Sequence, residues 1–211
     1  MDIIYLDKVD STHNYLKKYI TSNGYSKPIC IVTQNQTNGI GSRENSWQGL
    51  KGNLFFSFVI AKNLLPDDLP IQSSSIYFSF ILKEILNSFG SQVWLKWPND
   101  FYIKNKKIGG TITNLRKDLF FCGIGINLKY VDEQYGFLDI DINVKEILNK
   151  FNSNILDNIK WKHIFSKYSI EFEKSKIYKT TINTYKTSLE NSILNSDGSI
   201  SINNQKVFSL R

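Results

Sequence analysis

Cysteine and histidine are scarce: the chain has 2 of each in 211 residues. Cys30 and Cys122 each sit inside an apolar run, no CxxC occurs, and His13 and His163 are far apart. Neither a disulfide framework nor a metal cluster is expected to organise the fold. No apolar run reaches the roughly 18 residues of a spanning helix, and the start MDIIYLDKVDST has no basic segment leading into a long apolar one. A soluble, cytoplasmic protein with no membrane partner is therefore expected. Basic residues exceed acidic ones by 26 to 19, a net charge of +7, which suits an anionic partner such as a nucleotide, nucleic acid or acidic protein. Yet the lysines are scattered singly among Asn and Ile, without a basic run or a nucleic-acid-binding signature, which weakens the nucleic-acid reading.

What is present is the composition of a globular protein, 41% apolar and 14% aromatic, long enough for one main domain with a small appendage. IIYLDKVDST opens as a strand, after which Asp10, Ser11 and Thr12 offer capping oxygens to a helix carrying Tyr15, Leu16, Tyr19 and Ile20. ICIVT (29–33) and NLFFSFVI (53–60) read as strands joined by a long loop. A mostly buried helix is expected after Pro70, then strands at 93–97, 101–103, 107–115 and 119–128, and helices at 144–151 and 161–175. Asp197-Gly198 marks a hairpin turn. The pattern predicts an α+β fold, an antiparallel or mixed sheet backed by helices, divided as a body over 1–186 and a small β-unit over 187–211 packed on it.

Three stretches carry candidate chemistry. TNGIGSRENSWQG (37–49) combines Gly39 and Gly41, which admit close approach, with the Arg43 fork and the apolar plate of Trp47. KWPNDFYIKNKKIGG (96–110) presents the Asn99 and Asp100 oxygens, with Lys107 just before Gly109 and Gly110; Asp100 suits a hard cation such as Mg2+, and Lys107 an anionic oxygen. FFCGIGINL (120–128) sets Gly123 and Gly125 on one bare face of a strand, against which a flat apolar ligand fits. Taken singly, the first reads more readily as an uninformative loop, the second equally as a solvated turn and the third equally as a close helix contact.

Taken in order, DST, TNGIGSRENSW, KWPND, Lys107-Ile108-Gly109-Gly110 and GIGIN resemble the motifs of the biotin protein ligases. That family's catalytic domain, of class II synthetase-like fold, carries a DSTN-like corner, a GRGRRGR-type loop ending in Trp, a KWPND turn, a Lys-x-x-Gly strand and a GxGxN strand. The resemblance spans roughly residues 5 to 128. It implies ATP-dependent ligation of biotin to one lysine of a biotin carboxyl carrier protein, such as that of acetyl-CoA carboxylase, through biotinyl-5′-AMP.

By the same resemblance Ser11, Thr12, Gln36, Gly39, Gly110, Gly123 and Gly125 serve biotin, and Lys107 is catalytic at the carboxylate and α-phosphate. Arg43, Trp47, Asn99, Asp100, Asn127 and Arg211 serve ATP, with Asp100 also at Mg2+. The 37–49 loop becomes a lid that keeps water from the adenylate. Ile40 and Ser42 depart from the family's arginines, His13 replaces its Asn, and Asn114 stands where a carboxylate is common, so no metal is expected there. The early DST corner predicts a short form without the DNA-binding domain of some relatives, hence no DNA partner, and leaves a homodimer open. Two rival readings are a lipoate or octanoate ligase or octanoyltransferase on the same scaffold, and a non-catalytic basic binding module.

Overall fold

The computed structural model describes residues 1–41, 46–47, 50–182 and 184–208. Strand β1 (Asp2–Leu6) runs into helix α1 (Thr12–Asn23), whose N-cap Ser11 accepts a hydrogen bond from the Asn14 N–H, as the DST corner predicted. The chain returns as β2 (Ile29–Thr33), parallel to β1. All five residues of β2 are buried, which is why ICIVT is continuously apolar rather than alternating.

The connection from β2 to β5 (Leu54–Ala61) holds a two-residue ladder, β3 (Gly39–Ile40) against β4 (Ser46–Trp47). Helix α2 (Ser74–Ser88) follows a short 3-10 turn after Pro70 and is buried over most of its length, as its composition required. Strands β6 (Trp94–Lys96), β7 (Asp100–Ile103), β8 (Lys106–Arg116) and β9 (Leu119–Ile126) then form an antiparallel meander. The Trp97–Pro98 bond between β6 and β7 is cis. The seven-stranded sheet runs in the order β1-β2-β5-β9-β8-β7-β6, mixed because only β1 and β2 are parallel.

Each face of this sheet is covered differently. Phe56, Phe58 and Ile60 of β5 belong to the large core shared with Phe78 of α2 and with Phe151 of α3 (Val144–Leu156). The alternate residue Val59 faces the other way, with Phe121 of β9, against Leu16 and Ile20 of α1. Helix α4 (Trp161–Glu171) is clamped to the sheet by Glu171, which accepts from the Leu95 N–H at 2.7 Å and pairs with Lys83 of α2 at 2.9 Å.

The last part of the chain holds more strand than its sequence announced. The Asp197-Gly198 turn joins β12 (Ile193–Leu194) to β13 (Ile200–Ile202) as expected, with Gly198 at φ +79°. A further strand, β14 (Gln205–Val207), returns through Asn203 and Asn204, both in the left-handed region. The hairpin of β10 (Lys179–Ile182) with β11 (Tyr185–Ser188) was not foreseen, because KTTI and YKTS are polar and no glycine marks their turn.

Candidate active site

Strand register builds the site. Ser57 of β5 pairs with Gly123 of β9, which pairs with Ile112 of β8; two residues along, Phe55 pairs with Gly125, Gly125 with Gly110, and Gly110 with Asp100 of β7. These two rows lie on the α1 face, where the apolar side chains of α1 pack on the neighbouring row of Val59 and Phe121. With glycine at three positions in the rows, the uncovered sheet becomes the floor of a cavity of about 320 Å³. Its walls include Ser11, Thr12, His13, Gln36, Trp47 and Lys107.

One end is polar and tightly linked. Gln36 Oε1 accepts from the Thr12 N–H at 2.9 Å and from Thr12 Oγ1 at 3.1 Å, and Thr12 Oγ1 lies 2.9 Å from Ser57 Oγ. Gln36 is held near the corner because the chain pairs Val9 with Gln36 in a parallel bridge. Gly39 stands behind it: a Cβ there would come within 2.5 Å of Gln36 Nε2, so only glycine lets the loop backbone pass. His13 completes this end, buried, with Nε2 3.1 Å from Asn114 Oδ1. Its burial, reinforced by the charge of Lys17 and opposed by the Asn114 hydrogen bond, lowers its pKa to about 4.

The other end is charged. Asp100 Oδ1 lies 2.6 Å from Lys107 Nζ, and its Oδ2 lies 3.6 Å from Lys96 Nζ. Burial would raise the Asp100 pKa, but Lys107 and Lys96 outweigh it and hold the carboxyl below the usual range. Burial lowers the Lys96 pKa against the pull of Asp100. A regular strand would put Lys107 and Gly110 on opposite faces, since they are three residues apart. Phe101 instead pairs with Gly109 and Tyr102 with Lys107, so Ile108 is an extra residue in β8. That bulge brings Lys107 to within 3.7 Å of the position a Gly110 Cβ would take. The amide of Asn99 donates to the Thr111 carbonyl and fixes the turn beside Asp100.

Trp47 lies across Gly125, its Nε1 3.1 Å from where a Cβ would stand, so the bare glycine face is covered by the indole. Lys107 Nζ is 5.8 Å from the centre of that ring. Asn127 does not line the cavity; its Nδ2 donates to the Gly136 carbonyl at 3.1 Å and holds the segment after β9. Arg43 and Arg211, with Ser42 of the same loop, lie outside the described residues. Sequence reasoning missed Ser57, Phe55, Thr111 and Tyr135. Ser57 had a faint signal, a lone hydroxyl inside NLFFSFVI; Tyr135 had none, since it reaches the cavity through a loop tied to β8 by the Gly136 N–H to the Lys107 carbonyl.

Asp100 is also the residue expected at Mg2+. Its carboxylate already faces two lysines, and among the described residues no group of three or more His, Cys, Asp or Glu is placed to hold a metal ion. The donor set present does not fit a protein-held magnesium.

Strand register thus leaves a glycine-floored slot with hydroxyls and an amide at one end and the Asp100–Lys107 pair at the other. The chain belongs to the Biotin/lipoate A/B protein ligase family, whose model matches residues 5–129. It is similar to the biotin acetyl coenzyme A carboxylase synthetase of Helicobacter pylori, solved with bound biotinylated ATP. That likeness has 38% identity and a TM-score of 0.93 over 98% of this chain and 99% of that one. The biotin protein ligase of Aquifex aeolicus, solved with biotin and ATP, is 25% identical with a TM-score of 0.75, over 100% of this chain and 98% of that one. The bifunctional ligase/repressor BirA of Bacillus spizizenii is 25% identical over 138 residues, 63% of this chain and 42% of that protein. The chain thus spans about two fifths of that curated relative's length.

Proposed function

We propose that this chain joins biotin to a lysine of a carrier protein at the expense of ATP, through biotinyl-5′-AMP. The observation that carries the reading is the polarity of the slot. Hydroxyls and an amide gather at the Gly123 row and the Asp100–Lys107 pair at the Gly110 row, about 7 Å apart at two residues of strand rise. A compact polar ring with an acid tail spans that distance, whereas a plain acyl chain would leave the hydroxyl end unmatched.

In the first step a carboxylate oxygen of biotin attacks the α-phosphorus of ATP, and the bond to the β-phosphate oxygen breaks with loss of pyrophosphate. Lys107, pinned by Asp100, is positioned for the negative charge that gathers on the transferring oxygens. In the second step the uncharged ε-amine of the carrier lysine attacks the acyl carbon, the anhydride C–O bond breaks, and AMP leaves as the new amide nitrogen gives up its proton. Ser11, Thr12 and Gln36 hold the ring; Trp47 and Asn99 flank the nucleotide side; Arg43 and Arg211 complete the ATP contacts, while Asn127 holds the segment after β9 behind the site. A magnesium ion would be held by the nucleotide's phosphates rather than by this chain's side chains, and would offset their charge. Of the 37–49 stretch read as a lid, residues 42–45 and 48–49 lie outside the described residues, and the reading is supported by Trp47, whose indole lies over Gly125.

Pyrophosphate–ATP exchange with biotin, lipoate or octanoate as the only acid tests this reading. Exchange with biotin alone, reduced at least 100-fold in Lys107→Ala, is the expected result. Exchange driven by octanoate or lipoate would move the chain to the other branch of its family, and no exchange with any acid would overturn adenylate formation.

A further inference from the structure

The charged end of the slot continues past its floor to the edge of the sheet. Phe55, Gly125, Gly110, Asp100 and Lys96 form one row across β5, β9, β8, β7 and β6. Trp94 and Tyr102, two residues from Lys96 and Asp100, form a second row on the same face. Onto that row packs Tyr178, its ring 5.6 Å from that of Trp94 and 5.3 Å from that of Tyr102. Tyr178 leads straight into β10, and its carbonyl accepts from the Leu189 N–H just past β11. The base of the β10–β11 hairpin is thereby fixed beside Lys96.

Alternation orients the hairpin. Ile182, Tyr185 and Thr187 line a small cavity with Ile202 and Gln205 of the last strands, so Lys186, between Tyr185 and Thr187, belongs to the opposite face. Lys186 is exposed and has no carboxylate partner among the described residues. Its charge reaches Lys96: burial lowers the Lys96 pKa most, and the charges of Lys107 and Lys186 add to that against the pull of Asp100. Lys96, Lys107 and Lys186 thus stand near the single carboxylate of Asp100, and positive charge is left in excess.

We infer that Lys186 is a nucleotide-binding residue, which holds the outer phosphates of ATP and the pyrophosphate they become. The inference rests on the ligase reading above and deepens it: with Lys107 at the α-phosphate, the phosphates beyond run across Asp100 and Lys96 towards the hairpin. Residue 186 lies well past the 5–129 stretch that the family model matches, so no motif marks it. A lysine serves such a group as a point charge. It acts while the phosphates are present and drops out of the second step, when pyrophosphate has left.

The test uses the whole chain as wild type, Lys186→Ala and Lys186→Arg, with equal Tm values as the check on folding. Alanine is expected to raise both the KM for ATP in pyrophosphate–ATP exchange and the Kd for pyrophosphate by roughly 5- to 20-fold. Added salt should narrow that difference. Biotin affinity by calorimetry, and transfer to the carrier from preformed biotinyl-5′-AMP, should match wild type, and arginine should recover most of the loss. An unchanged KM for ATP in Lys186→Ala would overturn the inference and leave the ligase reading standing. So would an equal loss of transfer from the preformed adenylate, because only a structural role for the hairpin reaches that step. Failure of wild type to exchange with biotin at all would overturn both.

Discussion

Gly109 and Gly110 are neighbours on β8 with opposite tolerance for a side chain. A Cβ on Gly109 would collide with the Gly125 carbonyl oxygen and stand 2.6 Å from Ile126 Cδ1, whereas one on Gly110 would meet nothing closer than Asp100 Oδ1 at 3.4 Å. Gly109→Ala is expected to cost about 1–3 kcal/mol of stability, seen as a lower Tm. Gly110→Ala should melt near wild type but raise the KM for biotin or ATP several-fold, because its methyl group stands in the slot. His13 gives a second residue-scale prediction. Its folded pKa of about 4 lies below the ordinary 6.5, so between those values the unfolded chain binds more protons than the folded one. Stability from this group is complete above about pH 6.5 and is lost as pH falls towards 4, on the order of 3 kcal/mol in all. Thermal melts from pH 7.5 to 4.5 should fall steeply in wild type and less so in His13→Asn.

At the scale of elements, the bulge in β8 is what makes Lys107 part of the site. Without Ile108 as the extra residue, Lys107 would point to the face opposite Gly110, and the Asp100 pair could not form. Asp100 also neutralises Lys96, which is 6% exposed. Asp100→Asn is therefore expected to act twice. Exchange activity should fall roughly 10- to 100-fold as Lys107 loses its anchor. Stability should drop by roughly 2 kcal/mol, less than a fully buried pair would lose, because Lys96 keeps its charge without a partner. A Tm shift together with a fall in kcat checks both parts. In the wild type the Asp100 contribution is present above about pH 4 and is lost as pH falls through its depressed pKa, so it adds to the acid limb begun by His13.

At the scale of the molecule, the last strands are tied to the body rather than appended to it. Trp97 Nε1, between β6 and β7, donates to the Gly198 carbonyl at 3.0 Å, and Trp161 Nε1 of α4 donates to the Ser196 carbonyl at 2.8 Å. Ser73, at the start of α2, donates to the Asp197 carbonyl. The division at residue 186 thus crosses these hydrogen bonds, the Trp97 one buried, and we propose that the body and the C-terminal strands unfold together. Near- and far-ultraviolet dichroism should report one coincident transition. Trp97→Phe, which leaves the Gly198 carbonyl without this donor, should lower the midpoint by an amount equivalent to about 1–3 kcal/mol without splitting the transition.

Much of this was legible in the chain itself. Helix α1 was marked by Ser11 and by Leu16 and Ile20, β2 by an unbroken apolar run, and the β12–β13 turn by Asp197-Gly198, because capping, periodicity and turn chemistry act between near neighbours. The family was legible from five short motifs in fixed order, since each keeps the residue types that its part of a site requires. Tertiary structure decided the rest. Strand register set which rows α1 leaves bare, a bulge set the face of Lys107, and a loop held from β8 brought in Tyr135. His13 Nε2 finds its partner in Asn114, about a hundred residues away. Such contacts follow from which strand lies beside which, and that is a property of the packed whole rather than of any local stretch.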